Sequence, residues 1–297
     1  MRLIKSSLEI IEQQPELEGI YKQIELAGRT CYKSEDKITE DSAKAFVDRM
    51  IKSGHGAMLE HGTVYLAIPR KSVITRYNTN KYSKVNYNST SNVEYVTTNL
   101  RVLVENGWLD DLKYICEPTE YHEKRITVKW TCDRGVSHEF VRHRIFSFAM
   151  ESTRYCNYSK NKFGNEITFI IPTWLNLPKG KYTNWDNDWC DVGELKLLHP
   201  EVDNLDDAAN CFLQSIKNSE YYYFMLLDRG WKPQQARQVL PNALKTELVM
   251  TGFESDWKGF FALRSPKYGA TGVHPDAAYL ADMLYEEFIK RGYINEN

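Results

Sequence analysis

The residues best able to do chemistry lie in one stretch, Arg142-His143-Arg144-Ile145-Phe146-Ser147-Phe148-Ala149-Met150-Glu151-Ser152-Thr153-Arg154-Tyr155. Three arginines fall within 13 positions, and the last has hydroxyls beside it. Guanidinium forks bind phosphate through paired, charge-assisted hydrogen bonds worth roughly 1.5–3 kcal/mol each. Arg-His-Arg by itself also suits the solvated end of a surface helix. Here Ile145, Phe146 and Phe148 interleave with the charges and leave little of the stretch to face water. The pattern therefore predicts a pocket lining for a ligand that carries phosphate. Ser152 is a weak candidate nucleophile, because no general base stands next to it in the sequence.

Three further places carry reactive side chains. His55-Gly56-Ala57-Met58-Leu59-Glu60-His61 puts two histidines and a glutamate between a helix stop and a strand. A lone loop histidine is usually structural, whereas this grouping makes a site about as plausible. Arg237, in Ala-Arg-Gln-Val-Leu-Pro, and Arg264, in Phe-Phe-Ala-Leu-Arg, each adjoin strongly apolar residues. By themselves such arginines suit a structural ion pair better than a ligand.

The elements that must position these residues follow from periodicity. A helix ends near Tyr32, and a second, capped by Thr39, has Ala43, Phe46, Val47, Met50 and Ile51 on one face and stops at Gly54. Thr63–Ile68 reads as a strand, Asn78–Asn92 as a polar connection, Val93–Glu105 as a strand, Asn106-Gly107 as a turn and Trp108–Cys116 as a short helix. Lys124–Thr131 alternates, with Ile126, Val128 and Trp130 on its buried side. Asp133 is placed to cap the next helix, at whose end Arg142-His143-Arg144 falls. Successive helical side chains point about 100° apart, so these three would serve different groups. Glu166–Ile171 reads as a strand and Trp174–Trp189 as a loop. A long helix spans about Asp203 to Arg229, with Ala208, Ala209, Phe212 and Ile216 on one face. Pro233 opens a helix, Leu244–Gly252 alternates as a strand, and helices follow over Glu254–Arg264 and Asp276–Arg291.

At 297 residues, with 42% hydrophobic and 26% charged residues, the chain is an ordinary globular length and composition. Its net charge of −2 gives no general attraction to nucleic acid, so anion binding must be local. Neither a signal-peptide run nor a membrane span is evident, and the expected location is the cytoplasm. Six cysteines lack metal-site or disulfide spacing and read as reduced thiols.

Arg-His-Arg, seven residues, then Ser-x-Arg resembles the hallmark of the flavin-dependent thymidylate synthases. The His55–His61 stretch and the order Ala-Arg-x-x-Leu-Pro, strand, Phe-x-x-Leu-Arg are similar to further parts of that family. The resemblance implies an α/β fold of α+β type, a mixed or antiparallel sheet flanked by helices. It implies one domain over residues 1–297 with an insertion at about 69–123, since compact members have far less there. It also implies reductive methylation of dUMP to dTMP, with FAD bound and NADPH and methylenetetrahydrofolate as co-substrates. A homotetramer with sites shared between subunits, and no nucleic-acid or membrane partner, would follow.

By the same resemblance, Glu139, Arg142, Met150, Glu151, Ser152, Thr153, Arg154, Arg237 and Arg264 would meet dUMP. His55, Ala57, Glu60, Arg142, His143, Arg144, Phe253, Ser255 and Gly259 would meet FAD. Arg264, Ser152 and His55 would take part in catalysis, Arg264 by stabilising charge on the uracil ring. Several positions depart from the family. Ala57 replaces a hydroxyl, Glu139 a glutamine, and Phe253 and Gly259 two asparagines, while Ala149-Met150 stands where Asn-Glu is common. A non-catalytic flavin- or nucleotide-binding protein is the alternative that these departures leave open.

Overall fold

The structure is a computed structural model that describes residues 1–69, 76–175 and 207–295. The described chain runs β1 (Arg2–Ile4), β2 (Ser7–Ile11), α1 (Glu16–Tyr32), α2 (Ser42–Lys52), α3 (Gly56–Leu59), β3 (Thr63–Pro69), β4 (Lys84–Asn88), β5 (Val93–Asn99) and α4 (Leu100–Asn106). It continues through β6 (Arg125–Asp133), α5 (Arg134–Phe140), β7 (Ser147–Met150), β8 (Thr168–Ile170), α6 (Asp207–Asp228), α7 (Pro233–Ala236), β9 (Lys245–Phe253), α8 (Glu254–Arg264) and α9 (Pro275–Lys290). Helices and mainly antiparallel strands thus mix along the chain, as the α+β expectation requires.

The chain divides into two compact units. The first comprises Met1–Ser6, Asp133–Gly135 and Thr153–Lys245. Its β1 and β8 pair in parallel, Arg2 opposite Thr168 and Ile4 opposite Ile170. Its core gathers Tyr158, Phe169, Leu213, Ile216, Tyr223 and Leu244. On α6 the buried residues are Ala209, Leu213, Ile216 and Tyr223, at three-, four- and seven-residue steps. Ala208, expected on that face, is exposed, because it lies one helical position off the stripe. The start of that helix before residue 207, most of the 174–189 loop and Cys190 lie outside the described residues.

The second unit comprises Ser7–Cys132, Val136–Ser152 and Thr246–Asn297. A four-stranded sheet in the order β2-β6-β9-β7 carries the larger core, where Trp130, Phe140, Trp257, Phe260 and Phe288 meet. Ala277, Leu280, Leu284 and Phe288 of α9 are fully buried at helical spacing. Almost every residue of β9 is buried on both faces, so the strand is an interior one. At Gly252 a Cβ would stand 2.3 Å from the Phe146 ring, which fixes glycine there.

A three-stranded antiparallel sheet, β3-β5-β4, packs with α1 and α2 around Ile20, Ile24, Val47, Leu66, Val96 and Leu103. Three expectations are corrected in this region. The strand foreseen over Val93–Glu105 ends at Asn99, whose side chain accepts the Val102 N–H and starts α4. The polar connection at Asn78–Asn92 contains the edge strand β4. Thr39 does not cap α2; its own N–H donates to the Ser42 hydroxyl at 2.9 Å.

Candidate functional site

The predicted residues fall into separate clusters, one in the first unit and three in the second. In the first unit Thr153, Arg154 and Arg237 come together with Gln234. The short helix α7, with Pro233 at its first position and Ala236 fully buried, anchors the turn that bears Arg237. Arg237 Nη1 donates to Thr153 Oγ1 at 3.1 Å. Arg154 Nε donates to Gln234 Oε1 at 3.2 Å, and its guanidinium lies over the Tyr155 ring. Each of these two bonds ends on a neutral oxygen.

In the second unit Glu139, His143 and Arg264 form one cluster. Arg264, at the end of α8, donates to the Glu139 carboxylate, to the Glu139 carbonyl at 3.1 Å, and from Nε to His143 Nε2 at 3.2 Å. A guanidinium only donates, so His143 Nε2 accepts and the ring proton sits on Nδ1. Burial, helped by the charges of Arg264 and Arg142, pushes His143 down to about 4. It is therefore a neutral acceptor near pH 7, held against the Phe260 ring. Arg142-His143-Arg144 lies just past α5 in a turn, where Arg142 N–H bonds Glu139 O and His143 N–H bonds Phe140 O. Arg142, Arg144 and Ile145 are exposed, Ile145 by 63%. Ile145 departs from the expected covering, whereas Phe146, Ser147, Ala149, Glu151 and Thr153 are buried and Phe148 is partly so.

A second cluster surrounds Glu60. The cation beneath it is Arg125, which opens β6 and is half-buried. It donates to Glu60 O at 2.9 Å, to Thr63 and Ser147 hydroxyls, and lies over the Phe253 ring at 5.5 Å. Burial pulls it down to about 10, and its Nε is buried without a hydrogen-bond partner. His55 and Ala57 are exposed at the start of α3. Phe253 is covered, Ser255 is exposed, and a Cβ at Gly259 would meet open space. His61, expected beside the site, is fully buried on Thr251 Oγ1 at 2.9 Å; burial first, then Arg125, pushes it down to about 3.

The third cluster holds the end of β7. Glu151 N–H donates to Glu247 O at 2.8 Å and Ser152 N–H to Cys31 O at 2.9 Å. Lys33, in the left-handed conformation that ends α1, bridges Glu35 and Glu247. Burial opposes its charge, yet the two carboxylates win and lift it above the ordinary lysine range. Sequence reasoning missed Arg125, Lys33 and Gln234. Only the first left a signal, an arginine at the head of a strand whose next residues are apolar.

The model of the family described as thymidylate synthase complementing protein matches residues 117–291, more than half of the sequence. The chain belongs to this family. A flavin-dependent thymidylate synthase of Corynebacterium aurimucosum is 24% identical over 266 residues, covering 89% of this chain and 75% of that protein. One from Pyrococcus furiosus is 29% identical over 133 residues, covering 45% of this chain and 43% of its own length. Among solved structures, a UMP/dUMP methylase of Streptomyces cacaoi bound with 5-Br dUMP aligns over 98% of this chain and 93% of its own, at 17% identity and a TM-score of 0.44. The family match contains the arginine stretch, Arg237 and Arg264, and ends before the last turn of the chain. His55 and Glu60 lie outside it.

Proposed function

We propose that the chain is a flavin-dependent thymidylate synthase that reductively methylates dUMP to dTMP, with FAD bound, NADPH as reductant and methylenetetrahydrofolate as carbon donor. The observation that carries this reading is the family match over a span that keeps every arginine of the motif, Arg142, Arg144, Arg154, Arg237 and Arg264. The residues present suit a bulky anionic cofactor. Arg142 and Arg144 have no ion pair among the described residues, the Arg125 Nε is a buried donor with no partner, and the helix face at Gly259 is open.

When bound, the flavin would supply the hydride that the methylation requires. Arg142, Arg144, Glu60 and His55 are proposed to hold it, with Ser255 and the open face at Gly259 against it. Arg237, with no carboxylate partner among the described residues, keeps its full charge for the dUMP phosphate and is oriented by Thr153, and Arg154 is proposed to join it there. Ser152, whose backbone N–H donates to Cys31 O, is proposed as a further binding group. Arg264 stabilises charge that develops on the uracil, and the neutral His143 and Glu139 fix its orientation. A homotetramer is proposed with this reading, and light scattering would measure it.

The deciding assay is tritium release from dUMP labelled at C5, with FAD, NADPH and methylenetetrahydrofolate, against mixtures lacking each. Release that needs both FAD and NADPH is expected. Flavin-loaded protein that releases none would instead favour the non-catalytic binding protein.

A further inference from the structure

Charged side chains of the 69–123 segment lie on the very residues that the flavin reading gives to the cofactor. Arg101, in the first turn of α4, donates from Nη1 to the Glu60 carboxylate at 2.5 Å and from Nε to Glu105 at 2.7 Å. A Cβ at position 56 would stand 3.0 Å from that Nε, so Gly56 leaves the room that the guanidinium fills. Arg101 therefore runs along α3 from Gly56 to Glu60. That helix has four residues and no side-chain cap, too little to hold its own place.

At the start of α8 the pattern repeats. Glu123 accepts from both the backbone N–H and the hydroxyl of Ser255. Lys84 of β4 pairs with Glu123 at 3.7 Å, and its ammonium lies 5.4 Å from the centre of the Phe253 ring. Phe253 thus has Lys84 and Arg125 on its ring while Asp256 accepts its N–H at 3.2 Å. A surface elaboration would satisfy its charges internally or in water. Beside the internal pairs Lys84–Glu123 and Arg101–Glu105, Arg101 reaches out to Glu60, Glu123 to Ser255 and Lys84 to the Phe253 ring, at the end of α3 and the start of α8.

The structure's anionic partners also say what the cations do. Glu60 and Glu105 occupy Arg101, and Glu123 occupies Lys84, so neither cation stands clear as a phosphate ligand. Holding other residues in place is the role that fits. We propose that residues 76–123 are the scaffold of the flavin site, with Arg101 a positioning residue for Glu60 and α3, and Lys84 with Glu123 positioning Phe253 and Ser255. The inference rests on the flavin reading above. It gives these residues a task within the flavin site. It also offers a reason why Ala57 can lack a hydroxyl: α3 is fixed from outside by Arg101.

The test is FAD affinity of the apoprotein, read by quenching of flavin fluorescence. Arg101→Met is expected to weaken FAD binding about tenfold, the worth of one charge-assisted hydrogen bond. Arg101→Lys, which keeps a charge for Glu60, should recover most of the loss. If Arg101 acts through Glu60, then in a Glu60→Gln background the same Arg101→Met change should cost under about threefold. Lys84→Met alters a half-exposed side chain, and should weaken FAD roughly threefold and shift the visible flavin spectrum. Wild-type affinity in both Met variants, or fully additive effects of Arg101 and Glu60, would overturn the inference. A wild-type chain that binds no FAD overturns the flavin reading itself, a result that needs no variant.

Discussion

Arg237 and Arg264 both adjoin apolar residues in the sequence, yet their surroundings differ. Arg237, in the first unit, meets a threonine hydroxyl and has no carboxylate partner among the described residues. Arg264, in the second, is gripped by a carboxylate, a carbonyl and an imidazole. A guanidinium with neutral partners retains its whole charge for a ligand, whereas one already paired is held in a fixed orientation and gives up part of its field. The first arrangement suits capture of a phosphate that arrives fully charged. The second suits a charge that appears only during reaction, where a preoriented donor costs no reorganisation. The difference supports the proposed division, binding at Arg237 and stabilisation of developing charge at Arg264.

The largest expected effect follows from that assignment. Arg264→Ala should lower kcat by about 10²–10³ while FAD stays bound, in line with the loss of one preorganised donor. Steady-state kinetics on flavin-loaded protein decide it, and unchanged turnover would remove Arg264 from its role. Arg237→Ala should act on the other side of the comparison. It should weaken dUMP by roughly 10–100-fold, the worth of a charge-assisted phosphate contact, with FAD affinity kept. Calorimetric titration of dUMP would read this, and a change confined to kcat would exchange the two assignments.

Glu139→Gln tests what makes the two arginines unlike. The amide keeps the size and an acceptor for Arg264 but removes the neutralising charge. Stability should change by no more than about 1 kcal/mol, since the pair is partly solvated. Binding of anionic nucleotides should tighten a few-fold and become more sensitive to salt. Nucleotide affinity that falls instead would mean the carboxylate helps to bind, and the comparison would need another cause.

The arginines of both clusters were legible in the sequence because their spacing is local or flanks a strand. What they would touch was less so. Glu139 lies 125 residues from Arg264, and only the fold of α5 against α8 makes the carboxylate its partner. Arg101 reaches Glu60 over 41 positions, through a strand-to-helix change at Asn99 that hydrophobic pattern hides, since Val93–Glu105 alternates well enough to read as one strand. Buried helices such as α9 were plain, because one apolar face at 3.6-residue spacing leaves few alternatives. β4 was not, because an edge strand with Lys84, Asn86 and Tyr87 exposed carries polar residues that imitate a loop. β7 hid inside the arginine motif: its four residues are too few to show a period.

Acid should separate the two regions by the smallest but most selective effect. His143 is pushed down to about 4 in the folded chain and would titrate near 6.5 when unfolded. Its neutral form is the one that folding keeps, so the unfolded chain binds the extra proton first. The stability it contributes is complete above pH 6.5 and is lost as pH falls from 6.5 toward 4. His61, pushed down to about 3, adds a loss of the same sign that continues to lower pH. Thermal unfolding between pH 8 and pH 4.5 should therefore show Tm dropping below pH 6.5, and His143→Asn should flatten part of that slope. A proton on Nε2 would also displace the Arg264 Nε–H bond, whereas nothing in the Arg237–Thr153 contact titrates in this range. Binding through Arg237 should then follow only the ionisation of the dUMP phosphate, with a pKa of about 6. A second acid transition in dUMP affinity that disappears in His143→Asn would show that both arginines hold the nucleotide, and the division of labour between them would fail.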